Sequence, residues 1–451
     1  MKAIFLFLIQ VAYNVAFSTF FIVTGPFFLY RLWRRGKILP QFEQRFGFYS
    51  AKVRARLPSD LWIHAVSVGE VNIALVLIRR LRELRPNLRV VVSTTTATGF
   101  NVAQKQLADE LTTVIYNPID FLWSVASAFN AIRPRRFILI ESEIWPNYLW
   151  CARRRKIPVY LVNARLSVRS EERYRSMRWL VGPLLQQIAL IFAQDSVDVA
   201  RLTQAGFGPE TIFNLGSLKY DVAAIDSSDE KDISVWWNRA GWSDDAIVLL
   251  GGSTHPGEED VLARIYVNLR EKFPRLRLLL TPRHAERGAA VREMCEGLGL
   301  RAVLRSDLAA ATEPLANGST PDAVVVNSTG ELRALYKRAS LTFVGKSLRG
   351  HGGQNFLEAA IAGLPIVVGP NMQNFTVITR EFLQQQAIVQ VSDEFELATA
   401  VRGLLESESA RRELGNRTRA TFQAKLDAKN TLRTAGVIVQ SLDAEKKVAA
   451  N

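Results

Sequence analysis

Residues 61–81 read LWIHAVSVGEVNIALVLIRRL, and the fold turns on how this stretch is read. Leu61 to Ile63 are continuously apolar, as in a strand buried on both faces, whereas beyond Gly69 the apolar residues Ala74, Ile78 and Leu81 recur at helical spacing. A strand therefore runs into a helix, with HAVSVGE at the junction. In open α/β sheets such junctions line the ligand crevice, because the first amides of the helix are unpaired and the strand ends open there. Glu70 falls at this junction. Spacing alone leaves two readings of it open: an acid favoured by the helix dipole, or a carboxylate aimed at a substrate.

The same alternation continues along the chain. Strand candidates are LWIHAV, VVVST after Arg89, RFILI at 136–140, VYLVN at 159–163 and LIFAQ at 190–194. A polar, acid-rich interval, DVAAIDSSDEKDISVWWNRAGWSDD, then interrupts the pattern. It restarts with AIVLLGGS, RLLLTPRH, AVVVNS, LTFVG and PIVVG. Strand and helix in alternation argue for parallel sheets covered on both faces. The expected fold class is α/β, with two Rossmann-like domains whose parallel sheets face a cleft. The expected boundaries are an N-terminal membrane anchor at 1–37, a first domain at 38–222, a connection at 223–245, and a second domain with C-terminal helices at 246–451.

The anchor is read from composition. From Ala3 to Phe28 no side chain is ionisable except Tyr13, and the basic residues Arg31, Arg34, Arg35 and Lys37 follow. Roughly 20 apolar residues suffice to span a bilayer, though Gln10 and Asn14 weaken the signal and an interfacial helix is the rival. The basic cluster places the remainder of the chain on the cytoplasmic side. Beyond it, LPQFEQRFGFYSAKVRARL puts Phe42, Phe46 and Tyr49 on one face of an expected basic helix against anionic headgroups. Over the 451 residues, 57 Lys+Arg against 43 Asp+Glu give a net charge of +14, which favours an anionic partner or surface. No nucleic-acid motif accompanies that charge, so nucleic acid is not the expected partner. The two cysteines, Cys151 and Cys295, lack metal-site or disulfide-framework spacing.

Loops with glycines carry the rest. The four histidines, His64, His255, His284 and His351, all follow strand candidates, which suggests that their loops line one cleft. In GGSTHPGEED, Ser253 and Thr254 supply hydroxyls beside a helix start; in GKSLRGHGGQNFLEAAIAG, Gly350, Gly352 and Gly353 precede another. Either loop alone could be an ordinary helix start. Together, with Glu358 one turn into the second helix and able to accept both ribose hydroxyls, they suggest a nucleotide site, although neither matches a P-loop or a full dinucleotide fingerprint.

The stretch GKSLRGHGGQNFLEAAIAGLPIVVGPNMQNF resembles the donor-binding segment of two-Rossmann, GT-B glycosyltransferases. With HAVSVGE, ESEIWPN, VNARLSVRS and TPRHAER, the chain resembles the 3-deoxy-D-manno-octulosonic acid (Kdo) transferases of lipopolysaccharide assembly, from the anchor to about residue 425. The resemblance implies an inverting transfer from CMP-Kdo to the acylated, phosphorylated glucosamine disaccharide that precedes lipid A, at the bacterial inner membrane. It implies Glu70 as general base and a second acid in ESEIWPN, Glu143 favoured and Glu141 kept open. Pro282, Arg283 and Lys346 would contact the cytidine nucleotide, with Ser253, Thr254, Gly352, Gly353 and Asn355 on the phosphate side and Glu358 on the ribose. Arg165 and Arg169 receive no role. No cofactor or metal is expected, since arginine, lysine and helix N-termini can meet the leaving group's charge. Two alternatives stay open: a membrane-associated GT-B transferase using a UDP-sugar on another lipid, and a tethered nucleotide-sugar binding protein without catalysis.

Overall fold

The computed structural model of the protein describes residues 2–34, 41–225, 231–311 and 320–450. The chain forms two compact units, one of Met1–Val222 with Lys429–Asn451 and the other of Ala223–Ala428.

The first unit opens with helix α1 (Lys2–Arg34) and continues through β1 (Leu61–His64), α2 (Val68–Leu84), β2 (Val90–Thr94), β3 (Thr112–Tyr116), α3 (Leu122–Ile132), β4 (Arg136–Ile140), α4 (Pro146–Arg154), β5 (Val159–Ala164), β6 (Ile188–Ala193) and β7 (Ile212–Asn214). Its seven strands lie in the order β3-β2-β1-β4-β5-β6-β7, and every pairing is parallel. The strand order reverses between β1 and β4. That switch point is where a crevice opens beyond the carboxyl ends of the strands. Trp62 anchors the core beneath it, with ring centroids 4.8 Å from Phe129 and 4.7 Å from Phe137. Its indole N–H donates to Ser93 Oγ at 2.8 Å, so the large ring is buried without an orphaned donor.

The second unit repeats the plan with β8 (Ile247–Thr254), α5 (Glu258–Leu269), β9 (Leu276–Pro282), β10 (Ala302–Leu304), β11 (Ala323–Val325), β12 (Leu341–Val344), α6 (Leu357–Ala362), β13 (Ile366–Val368) and β14 (Val389–Gln390). The order is β10-β11-β9-β8-β12-β13-β14, again parallel, with its switch point between β8 and β12.

Three expectations need correction. The closing helix α7 (Asn430–Ala450) was expected in the second domain, but it belongs to the first unit. It packs on α2, where Arg85 meets Asp443 at 3.1 Å and Arg135 donates to the Leu442 carbonyl at 2.6 Å. The interval 223–245 is no free connection: Trp236 is buried and donates to Glu331 at 3.1 Å, and Trp242 donates to the Pro321 carbonyl at 2.9 Å. Residues 226–230 within it lie outside the described residues. The basic, aromatic stretch is not one helix either. It forms a 3-10 turn over Phe42–Phe46 and a short helix over Ala51–Arg54, separated by Gly47 at φ 75°. A β-carbon at Gly47 would come within 2.6 Å of the Ser124 carbonyl, so the backbone turns there. Tyr49 is buried and Phe48 is 58% exposed, opposite to the expected face.

Helix α1 is continuous, and within it Leu6–Phe27 is long and apolar enough to cross a membrane. Its two faces differ. Ile4, Phe7, Leu8, Val11, Val15, Phe20, Ile22, Val23 and Phe27 are exposed, whereas Ile9 and Tyr13 pack against the core of the first unit. The side chains of Arg31, Arg34, Arg35 and Lys37 lie outside the described residues.

Candidate active site

At the switch point of the first sheet, β1 ends at His64 and α2 begins after Ser67, so Glu70 occupies the first helical turn. Its carboxylate accepts from the Val66 amide at 2.8 Å and from Ser67 Oγ at 3.1 Å. Glu70 thus performs the helix-start task anticipated for an acid here. It nevertheless stays partly exposed. Burial pushes its carboxyl up to about 7, against the pull of the Val66 amide and the Ser67 hydroxyl, and the negative charges of Glu141 and Glu143 add to the rise.

The neighbouring strand β4 delivers Glu141, a buried glutamate at φ 63°. Left-handed backbone on a side-chain-bearing residue is uncommon and costs free energy unless the surroundings enforce it. Here two cations do so: Arg165 Nε lies 2.8 Å from Oε2 and Lys219 Nζ 3.0 Å from Oε1. Burial would raise the Glu141 carboxyl, but Lys219 and Arg165 outweigh it and hold the group below the usual range. Asn163, itself at φ 56°, accepts from the Leu218 amide at 3.0 Å and so fixes the turn that presents Lys219. Of VNARLSVRS, Arg165 therefore pairs with Glu141 directly, and Asn163 bonds the residue before its second cation, Lys219. Arg169 is exposed, and nothing in the structure gives it a role.

Glu143 is partly exposed and accepts from the Trp145 indole at 3.1 Å. The structure thus gathers Glu70, Glu141 and Glu143 at adjacent strand exits but separates their circumstances. Glu141 is committed to an ion pair, while Glu70 and Glu143 keep an accessible face.

His64 departs from expectation. It is 1% exposed, its Nδ1 lies 3.1 Å from Ser93 Oγ, and burial pulls its pKa down to about 4, so it is a neutral core side chain. The histidines therefore do not form one set of cleft-lining groups. In the second unit, His255 and His284 do stand together, with ring centroids 6.1 Å apart.

In that unit the loops after β8 and β12 approach closely. A β-carbon at Gly345 would come within 2.5 Å of Thr254 Cα, so only glycine permits the contact. Ser253 and Lys346, one at each strand exit, adopt φ 53° and 57°. What joins the loops is Glu258, a residue the sequence reading passed over. Its fully buried carboxylate accepts from the amides of His255 at 2.8 Å, Lys346 at 2.7 Å, Leu348 at 3.0 Å and Arg349 at 3.1 Å. The next residue, Glu259, takes the Thr254 hydroxyl at 2.9 Å and the Arg287 guanidinium at 2.8 Å.

These bonds alter the expected donor-side roles. Thr254 and Pro282 are buried, and the Thr254 hydroxyl is already bonded to Glu259. Ser253 and Lys346 are half-buried, and Arg283 is exposed. Gly352 and Gly353 adopt φ 108° and 70°; the Gly352 amide donates to Gln373 at 2.8 Å and the Gly353 amide to the Lys346 carbonyl at 3.2 Å. Asn355 accepts from the Leu357 amide at 3.1 Å and starts α6. Glu358 follows in the first turn, half-buried, with its carboxyl raised by burial against the pull of Arg333. Among the described residues, no group of three or more histidine, cysteine, aspartate or glutamate side chains is arranged to hold a metal ion.

Comparison with known proteins adds the following. Residues 40–222 match the family model described as 3-Deoxy-D-manno-octulosonic-acid transferase (kdotransferase), and residues 323–421 match that of Glycosyl transferases group 1. A 3-deoxy-D-manno-octulosonic acid transferase of Haemophilus influenzae is 33% identical over 377 residues, covering 83% of this chain and 86% of that protein. One of the same name from Bordetella pertussis is 33% identical over 80% of this chain and 84% of its own length. Among solved structures, UDP-GlcNAc 2-epimerase from Neisseria meningitidis bound to UDP-GlcNAc aligns with a TM-score of 0.54 at 14% identity, over 83% of this chain and 99% of that one. That likeness concerns the two-domain GT-B-type fold alone.

Proposed function

The chain belongs to the 3-deoxy-D-manno-octulosonic acid (Kdo) transferase family of glycosyltransferases, and on that premise we propose an inverting transfer of Kdo from CMP-Kdo to an acylated, phosphorylated glucosamine disaccharide. Glu70 is the general base in this reading. The observation that carries it is a carboxyl at the β1 exit, partly open and raised to about 7, where a base is both ionisable and strong enough at neutral pH. Glu141 stays ionised between Arg165 and Lys219. It keeps a negative charge beside Glu70 and so sustains the base's strength. Glu143, the less encumbered of the two, is the second acid that meets the acceptor.

On the donor side, Arg283, Lys346 and Ser253 face the charge released with CMP, and Glu358 takes the ribose. Metal is unnecessary in this scheme, because the cationic side chains of Arg283 and Lys346 offset the leaving group's charge. The bilayer in which the acceptor's acyl chains are embedded accounts for the exposed apolar face of α1. With its opposite face held by the first unit, α1 lies in the interface of the inner membrane, on the cytoplasmic side, rather than surrounded by lipid. The net charge of +14 favours an anionic leaflet and a phosphorylated acceptor, not nucleic acid.

Mass spectrometry of the lipid product tests the reading. Detergent-solubilised protein with CMP-Kdo and a tetraacylated glucosamine disaccharide bisphosphate should add one or more Kdo increments. An unshifted lipid with CMP-Kdo, but a shifted one with a UDP-sugar, would assign the chain a different donor. An unshifted lipid with both, despite tight CMP binding, would favour a non-catalytic sensor.

A further inference from the structure

The apolar N-terminal helix contains two polar side chains that attachment to a membrane does not need. Tyr13 Oη donates to Asp120 at 2.7 Å, and Asn14 exchanges two amide hydrogen bonds with Asn147, at 3.1 and 3.0 Å. Asp120 is 4% exposed and Asn147 fully buried, and the two are bonded to each other, Asn147 Nδ2 donating to the Asp120 carbonyl at 2.6 Å. A reciprocal amide pair of this kind fixes both distance and orientation, since each side chain supplies one donor and one acceptor. Aromatic rings extend the contact: Phe17 lies 5.3 Å from Phe121 and 6.4 Å from Trp145, centroid to centroid, and Phe21 lies 4.9 Å from Phe121.

The location of these partners carries the argument. Asn147 is in the first turn of α4, immediately after the loop that bears Glu141 and Glu143, and Trp145 is the residue whose indole holds Glu143. From β4 the loop is fixed at Glu141; at its other end the fixed points are Trp145 and Asn147, both touching α1. We infer that α1 is a positioning element of the acceptor site, its inner face of Tyr13, Asn14 and Phe17 setting the Glu143 loop through Trp145 and Asn147. Membrane attachment belongs to the outer face, where Phe7, Val11 and Val15 are 60%, 44% and 62% exposed. The two faces of one helix thus separate two tasks, and the inference rests on the transferase reading only where it concerns rate.

The test compares variants of each face in the full-length protein. Inner-face variants are Asn14→Ala and Phe17→Ala, with Tyr13→Phe as the mildest; outer-face variants are Phe7→Ser, Val11→Ser and Val15→Ser. With acceptor dispersed in detergent micelles, so that attachment to a bilayer is irrelevant, the inner-face variants should lose kcat by on the order of 10- to 100-fold, as expected when a reacting group is misplaced. Phe17→Leu should restore most of it, and binding of CMP-Kdo should be unchanged. Outer-face variants should keep kcat on micelles and raise KM only on vesicles of anionic lipid. Hydrogen–deuterium exchange over residues 141–150 gives a second readout that needs no turnover: inner-face variants should accelerate it, outer-face variants should not. If wild type transfers and Asn14→Ala and Phe17→Ala do so equally well, with exchange unaltered, the inference is overturned while the transferase reading stands. Should wild type fail to transfer, exchange alone decides, and equal protection in both sets of variants overturns the inference.

Discussion

Glu70 and Glu258 hold the same place in their respective units. Each lies in the first turn of the helix that follows the innermost strand at the switch point, β1 in one sheet and β8 in the other. Their bonding differs. Glu258 is fully buried and accepts from four backbone amides spread over two loops, whereas Glu70 accepts from one amide and one hydroxyl and remains partly exposed. Both carboxyls are raised by burial, yet in Glu258 amides from two loops absorb the charge. One glutamate is a staple for the loops after β8 and β12, and the other keeps an accessible face. A helix-start acid therefore announces neither structure nor catalysis by its position; the number of donors it has already met decides.

The largest effect should come from Glu70→Gln. The amide oxygen can still accept from Val66, so melting temperature and CMP binding should hold, while the transfer rate falls by roughly 10²- to 10⁴-fold. Retained transfer would break the comparison at its first member. Glu258→Ala should act in the opposite sense, costing about 3 kcal/mol of stability or more in thermal or denaturant unfolding, because buried amides lose their acceptor. Donor affinity should fall with it as the loops after β8 and β12 separate. Asn355→Ala, which removes only the acceptor at the start of α6, should cost about 1 kcal/mol.

Glu141→Gln sharpens the contrast most finely. It removes a like charge beside Glu70 and frees Arg165 and Lys219 to act on it; both changes lower the Glu70 pKa. The acidic limb of the transfer rate should shift to lower pH by a fraction of a unit, and a shift to higher pH would contradict the assigned charges.

Much of this was legible in the sequence, and the gaps have a common cause. The ten central strands were readable as apolar runs, since strands paired on both sides and covered on both faces carry Val, Leu and Ile without interruption. The four that were missed, β3, β7, β10 and β14, are the four sheet edges. Three of them are only two or three residues long, and β3, TTVIY, begins with two threonines. Edge strands pair on one side and are kept short and polar, so periodicity has little to report. The position of Glu70 at a strand exit was readable from the apolar run before it, whereas Glu141 and Glu143 were singled out by the family resemblance, and the structure places all three at adjacent strand exits. Lys219, Glu258 and Glu259 were not found, since their partners lie far along the chain or are backbone amides with no sequence signature. Asn14 did leave a signal: an amide one turn from Gln10 in an apolar helix weakened the membrane reading, and the structure turns that weakness into a contact with Asn147.

The most direct test of the central claim is the pH dependence of kcat/KM for transfer between pH 5 and 9. Glu70 acts as a base only when ionised, so the rate should climb with unit slope below neutrality and level off above a midpoint near 7, the value to which burial raises its carboxyl. A profile already flat at pH 5 would mean that the reacting carboxylate has an ordinary pKa, and would contradict the assignment of Glu70 as the residue left free to take the proton.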